Sequence, residues 1–152
     1  MAQLLDTQIF GKLEVGISTS SINLVATSAG KLGIGTTNPV ATYDVVGGEV
    51  VGVTTGNATG SIVMNAANSN FFKYTATGTT TFSFSNIPNG RAYFATLELA
   101  NGGSQTINWD SAIKWPAGVS PTLVSSGTEI LTFVSTDGGT NVNGVLSIPD
   151  AR

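Results

Sequence analysis

Short β-prone runs follow one another from Leu13 to the end of the chain, and each is interrupted by Gly, Asn, Asp or Ser. Such runs are typical of strands, and the interrupting residues are typical of tight turns. Helical periodicity is almost absent. The pattern therefore predicts an all-β fold, in which an extended N-terminal β arm precedes an antiparallel β-sandwich.

The arm is predicted to comprise residues 1–58. Its apolar runs are short: Ile22–Ala26, Lys31–Ile34 and Tyr43–Val46, the last two separated by a Thr37-Asn38-Pro39 turn. Strands this small bury little by themselves. We therefore expect other subunits to complete the arm, which would serve oligomerisation or docking. The residues expected at that interface are Leu32, Ile34, Pro39, Tyr43 and Val45.

The sandwich is predicted to comprise residues 59–152. Alternation in Thr79–Phe84 places Phe82 and Phe84 on one face. Asn89-Gly90 predicts a hairpin into Arg91–Ala100, and Asn101-Gly102-Gly103 predicts a second hairpin into Gln105–Trp109. The residues expected to face inward on these two strands are Tyr93, Ala95, Leu97, Leu99, Ile107 and Trp109.

Two further runs complete the predicted sandwich. Ile130–Val134 is apolar on both faces, as expected of a central strand. Asp137-Gly138-Gly139 predicts a third hairpin, into Val142–Ile148, where Val142, Leu146 and Ile148 would face inward. Seven or so strands with tight turns predict a β-sandwich that is jelly-roll-like.

The composition favours a permanent assembly. Only 10% of residues are charged, against about 25% in typical soluble domains. A β-rich surface with so few charges risks self-association, because charge normally keeps strand edges apart. An assembly that covers those edges removes the risk, so we expect a homo-oligomer.

Several chemistries are disfavoured by missing residue types. Cys and His are both absent, which removes disulfides, thiolate metal sites and the commonest general base. A net charge of -3 argues against sequence-independent nucleic-acid binding. No run reaches the roughly 18 apolar residues of a membrane span, and residues 1–15 lack the features of a secretory signal. We expect no cofactor, no metal, no nucleic acid and no membrane insertion.

The motifs that resemble catalytic or binding sites favour structural interpretations. Gly33-x-Gly35-Thr36-Thr37 lacks the Gly-Lys-Ser/Thr and following helix of a phosphate loop. Nothing in the sequence pairs the carboxylates as acid–base catalysis requires. Asp137–Asn141 does not have the spacing of a calcium-binding loop. We therefore expect no enzymatic activity and no catalytic residue.

Aromatic residues offer one candidate contact surface. Tyr74, Tyr93, Trp109 and Trp115 could form a platform for stacking sugars. Alternation places Tyr93 and Trp109 in the core. Trp115 precedes Pro116 in an apparent loop, so it is the best candidate for an exposed contact, although packing over the end of the sandwich is the favoured interpretation.

Two segments resemble proteins of bacteriophage particles. GIGTTNP at residues 33–39, followed by the short DVVG strand, resembles a strand-turn-strand segment of tail-fibre and other virion surface proteins. Leu99–Gly139 resembles a C-terminal β domain common in phage tail and fibre proteins, through Gly102-Gly103, the Trp109/Trp115 pair, Pro121-Thr122-Leu123 and Asp137-Gly138-Gly139.

This resemblance implies a non-enzymatic virion structural protein of tail-fibre type, assembled in the host cytoplasm. Its expected partners are two further copies of itself, in a homotrimer, and other virion proteins of the tail or the capsid. Two alternatives remain open. One is a capsid decoration (cement) protein that clamps capsomers, and the other is a module that binds a host surface glycan.

Overall fold

The computed structural model describes residues 13–18 and 21–151, with side chains from Leu24 onward. The prediction of an all-β chain is confirmed. The chain divides into two compact units between Val50 and Val51. This division precedes the predicted boundary at residue 58, because the strand that spans residue 58 pairs along its whole length with the second unit. The first twelve residues of the predicted arm lie outside the described residues.

The first unit contains a four-stranded sheet in the order β1-β2-β3-β4. Strands β1, β2 and β3 pair antiparallel, whereas β3 and β4 pair in parallel. The bounds are β1 Leu13–Ser18, β2 Ser21–Ala26, β3 Leu32–Ile34 and β4 Tyr43–Val45. Among the described side chains of this unit, the only large apolar side chain in the core is that of Val25.

The second unit contains a seven-stranded sheet in the order β5-β6-β7-β10-β11-β9, with β8 paired to β6. Two short 3₁₀ turns lie at Gly102–Ser104 and Pro116–Gly118. The strands are β5 Val53–Asn65, β6 Phe71–Ser85, β7 Tyr93–Ala100, β8 Ile107–Trp109, β9 Ile113–Lys114, β10 Thr128–Ser135 and β11 Val142–Ala151.

Strand β5 folds back on itself. It pairs in parallel with β6, so that Val53 lies beside Phe71 and Asn65 beside Ser85. A straight strand of this length would measure about 40 Å, yet residues 66–70 can bridge at most about 20 Å. Ser69 touches both ends of β5, since its Oγ donates to the Gly52 carbonyl at 2.7 Å and its N–H to the Asn65 carbonyl at 3.3 Å.

The bend lies at Gly60, which has a φ of 71° that favours glycine. The pairing register shifts between Ala58 and Gly60. Strand β5 therefore has two limbs, 53–58 and 60–65. The limbs of β6 meet across the core through their side chains: the ring centroids of Tyr74 and Phe82 lie 6.0 Å apart.

The two limbs of each bent strand form two facing layers, consistent with the predicted β-sandwich. The first limb of β6 pairs with β7, and the second limb pairs with β8. The core between the layers is rich in aromatic rings and buries Phe72, Phe82 and Leu97. The finer description as jelly-roll-like stays a prediction.

Two of the three predicted hairpins are wrong, because the strand after each turn pairs in parallel with β6. Gly90 does adopt a turn conformation, with a φ of 68°, but the strand that follows it pairs with β6 in parallel. Likewise, β8 after Gly102-Gly103 pairs with β6 and not with β7. The third hairpin, at Asp137-Gly138-Gly139, is confirmed by antiparallel pairing of β10 with β11.

The predicted inward faces are confirmed with one exception. The residues predicted to face inward on β6, β7 and β8 all belong to the core or pack against it. Strand β10 is central, as predicted, with β7 and β11 on its two sides. Ile148 is exposed. A register shift sets Leu146 beside Leu131 but Ile148 beside Ile130, so Ile148 lies on the outer face.

Candidate docking segment and aromatic cleft

The predicted docking residues are brought side by side by the β3–β4 pair. Leu32 lies beside Tyr43, and Ile34 lies beside Val45. Pro39, in the connecting loop, is buried, whereas the side chain of Tyr43 is 57% exposed. Leu32, Ile34 and Val45 are partly buried.

Close backbone approach explains the Gly-Ile-Gly spacing. Gly35 has a φ of 71°, and a Cβ there would collide with the Val46 carbonyl oxygen. A Cβ on Gly33 would lie 2.9 Å from the Thr36 carbonyl oxygen. The motif therefore has a structural role, and Lys31 adds to it by donating from Nζ to the Pro39 carbonyl at 3.1 Å.

An exposed apolar surface, here called the docking segment, extends over Val40–Val50. Val40 is 79% exposed and Val50 is 95% exposed, and Tyr43 and Val46 are also exposed. Sequence reasoning missed Val40, Val46 and Val50, although valines beside turn residues in a chain with little charge were a visible signal. Strand β4 lies at the end of its sheet and has a free edge among the described strands.

Trp115 is not a free surface ring. It is partly buried and packs edge-on against Trp109, with a centroid distance of 4.9 Å, and against Phe133 at 5.8 Å. Gly144 makes room for it, because a Cβ there would lie 2.8 Å from Trp115 Cζ3. This position agrees with the favoured interpretation, in which Trp115 packs against the core. A contact between Trp115 and another molecule stays a prediction.

The edges of these tryptophans line an open cleft. A cavity of about 320 Å³ is lined by both indoles together with Asn108, Asp110 and Ser120. A neighbouring cavity of about 160 Å³ shares Ile107, Trp109 and Ser120 with it. Asp110 is partly engaged, since its Oδ1 accepts from the Ala112 N–H at 2.9 Å. The cleft thus combines aromatic edges with uncharged polar groups and one carboxylate.

The carboxylate of Asp137 organises a turn. Its oxygens accept from the Asn141 N–H at 3.0 Å, from Asn141 Nδ2 at 2.8 Å and from Ser135 Oγ at 3.1 Å. The bond from the Asn141 backbone lowers the pKa of Asp137. Within the described residues, no group of three His, Cys, Asp or Glu side chains is placed to hold a metal ion.

Glu129 is a buried carboxylate, which the sequence offered as one of six candidate acid–base groups without indicating its burial. Its Oε1 accepts from the Val124 N–H, while its Oε2 is buried and has no hydrogen-bond partner. Burial raises its pKa, the Val124 bond lowers it, and the charge of Asp150 raises it further. Glu129 shares its strand face with the buried Leu131 and Phe133. The sequence did not show that this face is the buried one, because Ile130 and Val134 make the opposite face apolar as well.

Comparison of the chain with protein-family models, curated proteins and solved structures finds no match. None of the helical segments in the described part of the chain is long and apolar enough to span a membrane.

Proposed function

We propose that this chain is a non-enzymatic structural protein of a bacteriophage virion, a homotrimeric surface component of tail-fibre type. The observation that carries the proposal is the docking segment, an exposed apolar surface on a unit with few buried side chains. The resemblance of residues 33–39 and 99–139 to tail-fibre proteins supplies the biological setting.

The first unit leaves apolar side chains in solvent. Burying a valine side chain contributes about 2 kcal/mol, and Val40, Val46 and Val50 are left in solvent. Apolar surface that is left exposed on this scale is typical of interaction sites, and Tyr43 is exposed in the same segment. Contact with symmetry mates would remove these side chains from water and complete the sheet beside β4. The role is therefore mechanical, in holding copies together and anchoring the second unit.

The trimer is tested by native mass spectrometry of the purified chain. We expect species that contain three copies of the 15.5 kDa chain, or a multiple of three. Val40→Asp should shift the population to smaller species, because a charge would have to be desolvated in the interface. Val119→Asp is the matched control, since Val119 is 71% exposed in the second unit. A monomeric mass at micromolar concentration contradicts the proposal.

Location on the particle is tested by labelling virions with antibodies to the chain. Labels at the tail support the fibre role. Labels at regular positions over the head would instead support capsid decoration, in which the same docking segment would contact the major capsid protein.

A host-glycan-binding role is the second candidate, and the aromatic cleft favours it. The larger cavity is an open cleft with a mainly polar lining, in which Asn108, Asp110 and Ser120 lie beside two indole rings. Ser120 lines both cavities, so Ser120→Trp should fill the cleft and abolish any binding on a glycan array. Ser126→Trp, at another exposed serine, should leave binding unchanged. If no glycan binds the unmodified chain, this role is ruled out.

A further inference from the structure

Strand β5 lies at one end of its sheet, and with 13 residues it is far longer than the two-residue β9 at the other end. Both of its limbs pair with β6 on one side. No other strand among the described residues pairs with its opposite side. The unpaired N–H and C=O groups of such an edge are a template for another strand.

This edge has none of the usual protection. Its sequence, VTTGNATGSIVMN, contains no Lys, Arg, Asp, Glu or Pro, which are the residues that normally discourage pairing. By contrast, β9 carries Lys114, and β11 carries Pro149 and Asp150 near its end. Two apolar side chains of β5, Val53 and Val63, are exposed. Of the two ends of this sheet, β5 is therefore the one without protection against strand addition.

The shape of the edge limits what can pair with it. A partner must follow the bend at Gly60, so a straight strand could pair with only one limb. Strand β5 of a second copy has the same bend. Limbs 53–58 and 60–65 are equally long and flank Thr59, so a twofold axis at Thr59 would lay each limb against the other limb of the second copy.

The register of this arrangement is consistent with the side-chain directions. Antiparallel pairing about Thr59 sets Thr55 opposite Val63, and both side chains are exposed. It sets Thr54 opposite Met64, whose side chain lies in the core. Inward positions therefore meet inward positions, and outward positions meet outward positions, as continuation of both layers requires.

We infer that the free edge of β5 binds the β5 of a second copy of this chain, antiparallel about a twofold axis at Thr59. This contact is separate from the trimer contact of the docking segment, because it uses the second unit. It joins the copies through main-chain hydrogen bonds between uncharged strands, so added salt should not weaken it.

Cysteine pairs test the register, because the chain has no native cysteine. Directly opposed residues have Cα atoms about 4.5–5.5 Å apart, which suits a disulfide. Thr55→Cys and Val63→Cys proteins, one isotope-labelled, are mixed and mildly oxidised. The expected product is a disulfide-linked dimer with one copy of each. Thr81→Cys is the control, since Thr81 is exposed on β6 but paired on both sides.

Two outcomes would overturn the inference. One is that Thr55→Cys links to itself as fast as it links to Val63→Cys, which indicates a parallel partner. The other is that the mixture yields no more dimer than Thr81→Cys.

A second measurement separates this contact from the trimer. In native mass spectra, Val63→Lys should lose the β5 contact and leave trimers, whereas Val40→Asp should lose the trimer contact and leave dimers. Phe94→Lys is the control, because Phe94 is exposed on β7, which is paired on both sides. An unchanged mass for Val63→Lys excludes the β5 contact whether or not the trimer exists.

Discussion

Some residues of the described chain permit close packing, whereas Glu129 is buried at a cost in stability. Gly35 and Gly144 lie where a Cβ would collide with neighbouring atoms. Glu129, in contrast, is a fully buried carboxylate with one unsatisfied oxygen. An unpaired buried polar atom costs about 1–3 kcal/mol, so this residue lowers stability at neutral pH.

Because of Glu129, the free energy of unfolding should fall as the pH rises above the usual pKa of a glutamate. Its folded-state pKa is raised from 4.5 by burial, so the folded state holds the proton longer than the unfolded state does. The stabilising effect is complete below pH 4.5 and is lost as pH rises through the raised pKa. Urea unfolding as a function of pH measures this.

The matched variant is Glu129→Gln, which keeps an oxygen for the Val124 N–H. It should be more stable than the unmodified chain at pH 7 by on the order of 1 kcal/mol. The decline in stability between pH 4.5 and the raised pKa of Glu129 should be absent from this variant. The lowered pKa of Asp137 acts in the opposite sense and at lower pH, below its usual 3.8. An equal decline in the Gln variant would show that another group is responsible.

At the scale of elements, the faces of strands were predictable and their partners were not. Alternation in β6 and β7 depends only on neighbouring residues, and it placed Phe82 and Leu97 correctly in the core. Asn89-Gly90 specifies a turn, but it does not specify which strand the chain pairs with afterwards. A bend was indicated by glycines inside β-prone runs, namely Gly60 in β5 and Gly78 in β6.

The candidate sites were predictable to a similar degree. Leu32, Ile34, Tyr43 and Val45 were identified because short strands cannot bury themselves, and the structure pairs them. The aromatic cleft was foreseen only in part: Trp109 and Trp115 belonged to the candidate platform for sugars, and both line the cleft. Its other walls could not be predicted, because they depend on the pairing of β8 with β6.

Phe82 connects the elements of the sandwich, so its truncation should be costly. It is fully buried and stacks on Trp109 at 5.4 Å. Phe82→Ala should lower the free energy of unfolding by about 3–5 kcal/mol, as measured by urea denaturation followed by tryptophan fluorescence. Phe94→Ala removes an exposed ring and should change it by less than about 0.5 kcal/mol. Equal losses for Phe82→Ala and Phe94→Ala would contradict the arrangement in which the two limbs of β6 face each other across the core.

At the scale of the molecule, the two units differ in how much they bury. The second unit encloses an aromatic core between two layers, whereas the first unit leaves valines exposed. We therefore expect the second unit to fold by itself and the first unit to depend on contacts with other chains.

Residues 51–152 expressed alone should unfold cooperatively in urea, because their core is complete. They should not form trimers, because the docking segment is missing. Circular dichroism during unfolding and native mass spectrometry check the two expectations. A trimer of the isolated fragment would assign trimerisation to the second unit.

The folding back of β5 has a consequence for how such a protein can lengthen. Residues 53–70 make one full circuit of the sandwich and return to the point where the next circuit begins. Duplicating that stretch would add one more layer of hydrogen bonds without a long crossover and without a new topology. A gene encoding this fold can therefore grow by copying, one circuit at a time, while both ends of the stack keep their own surfaces.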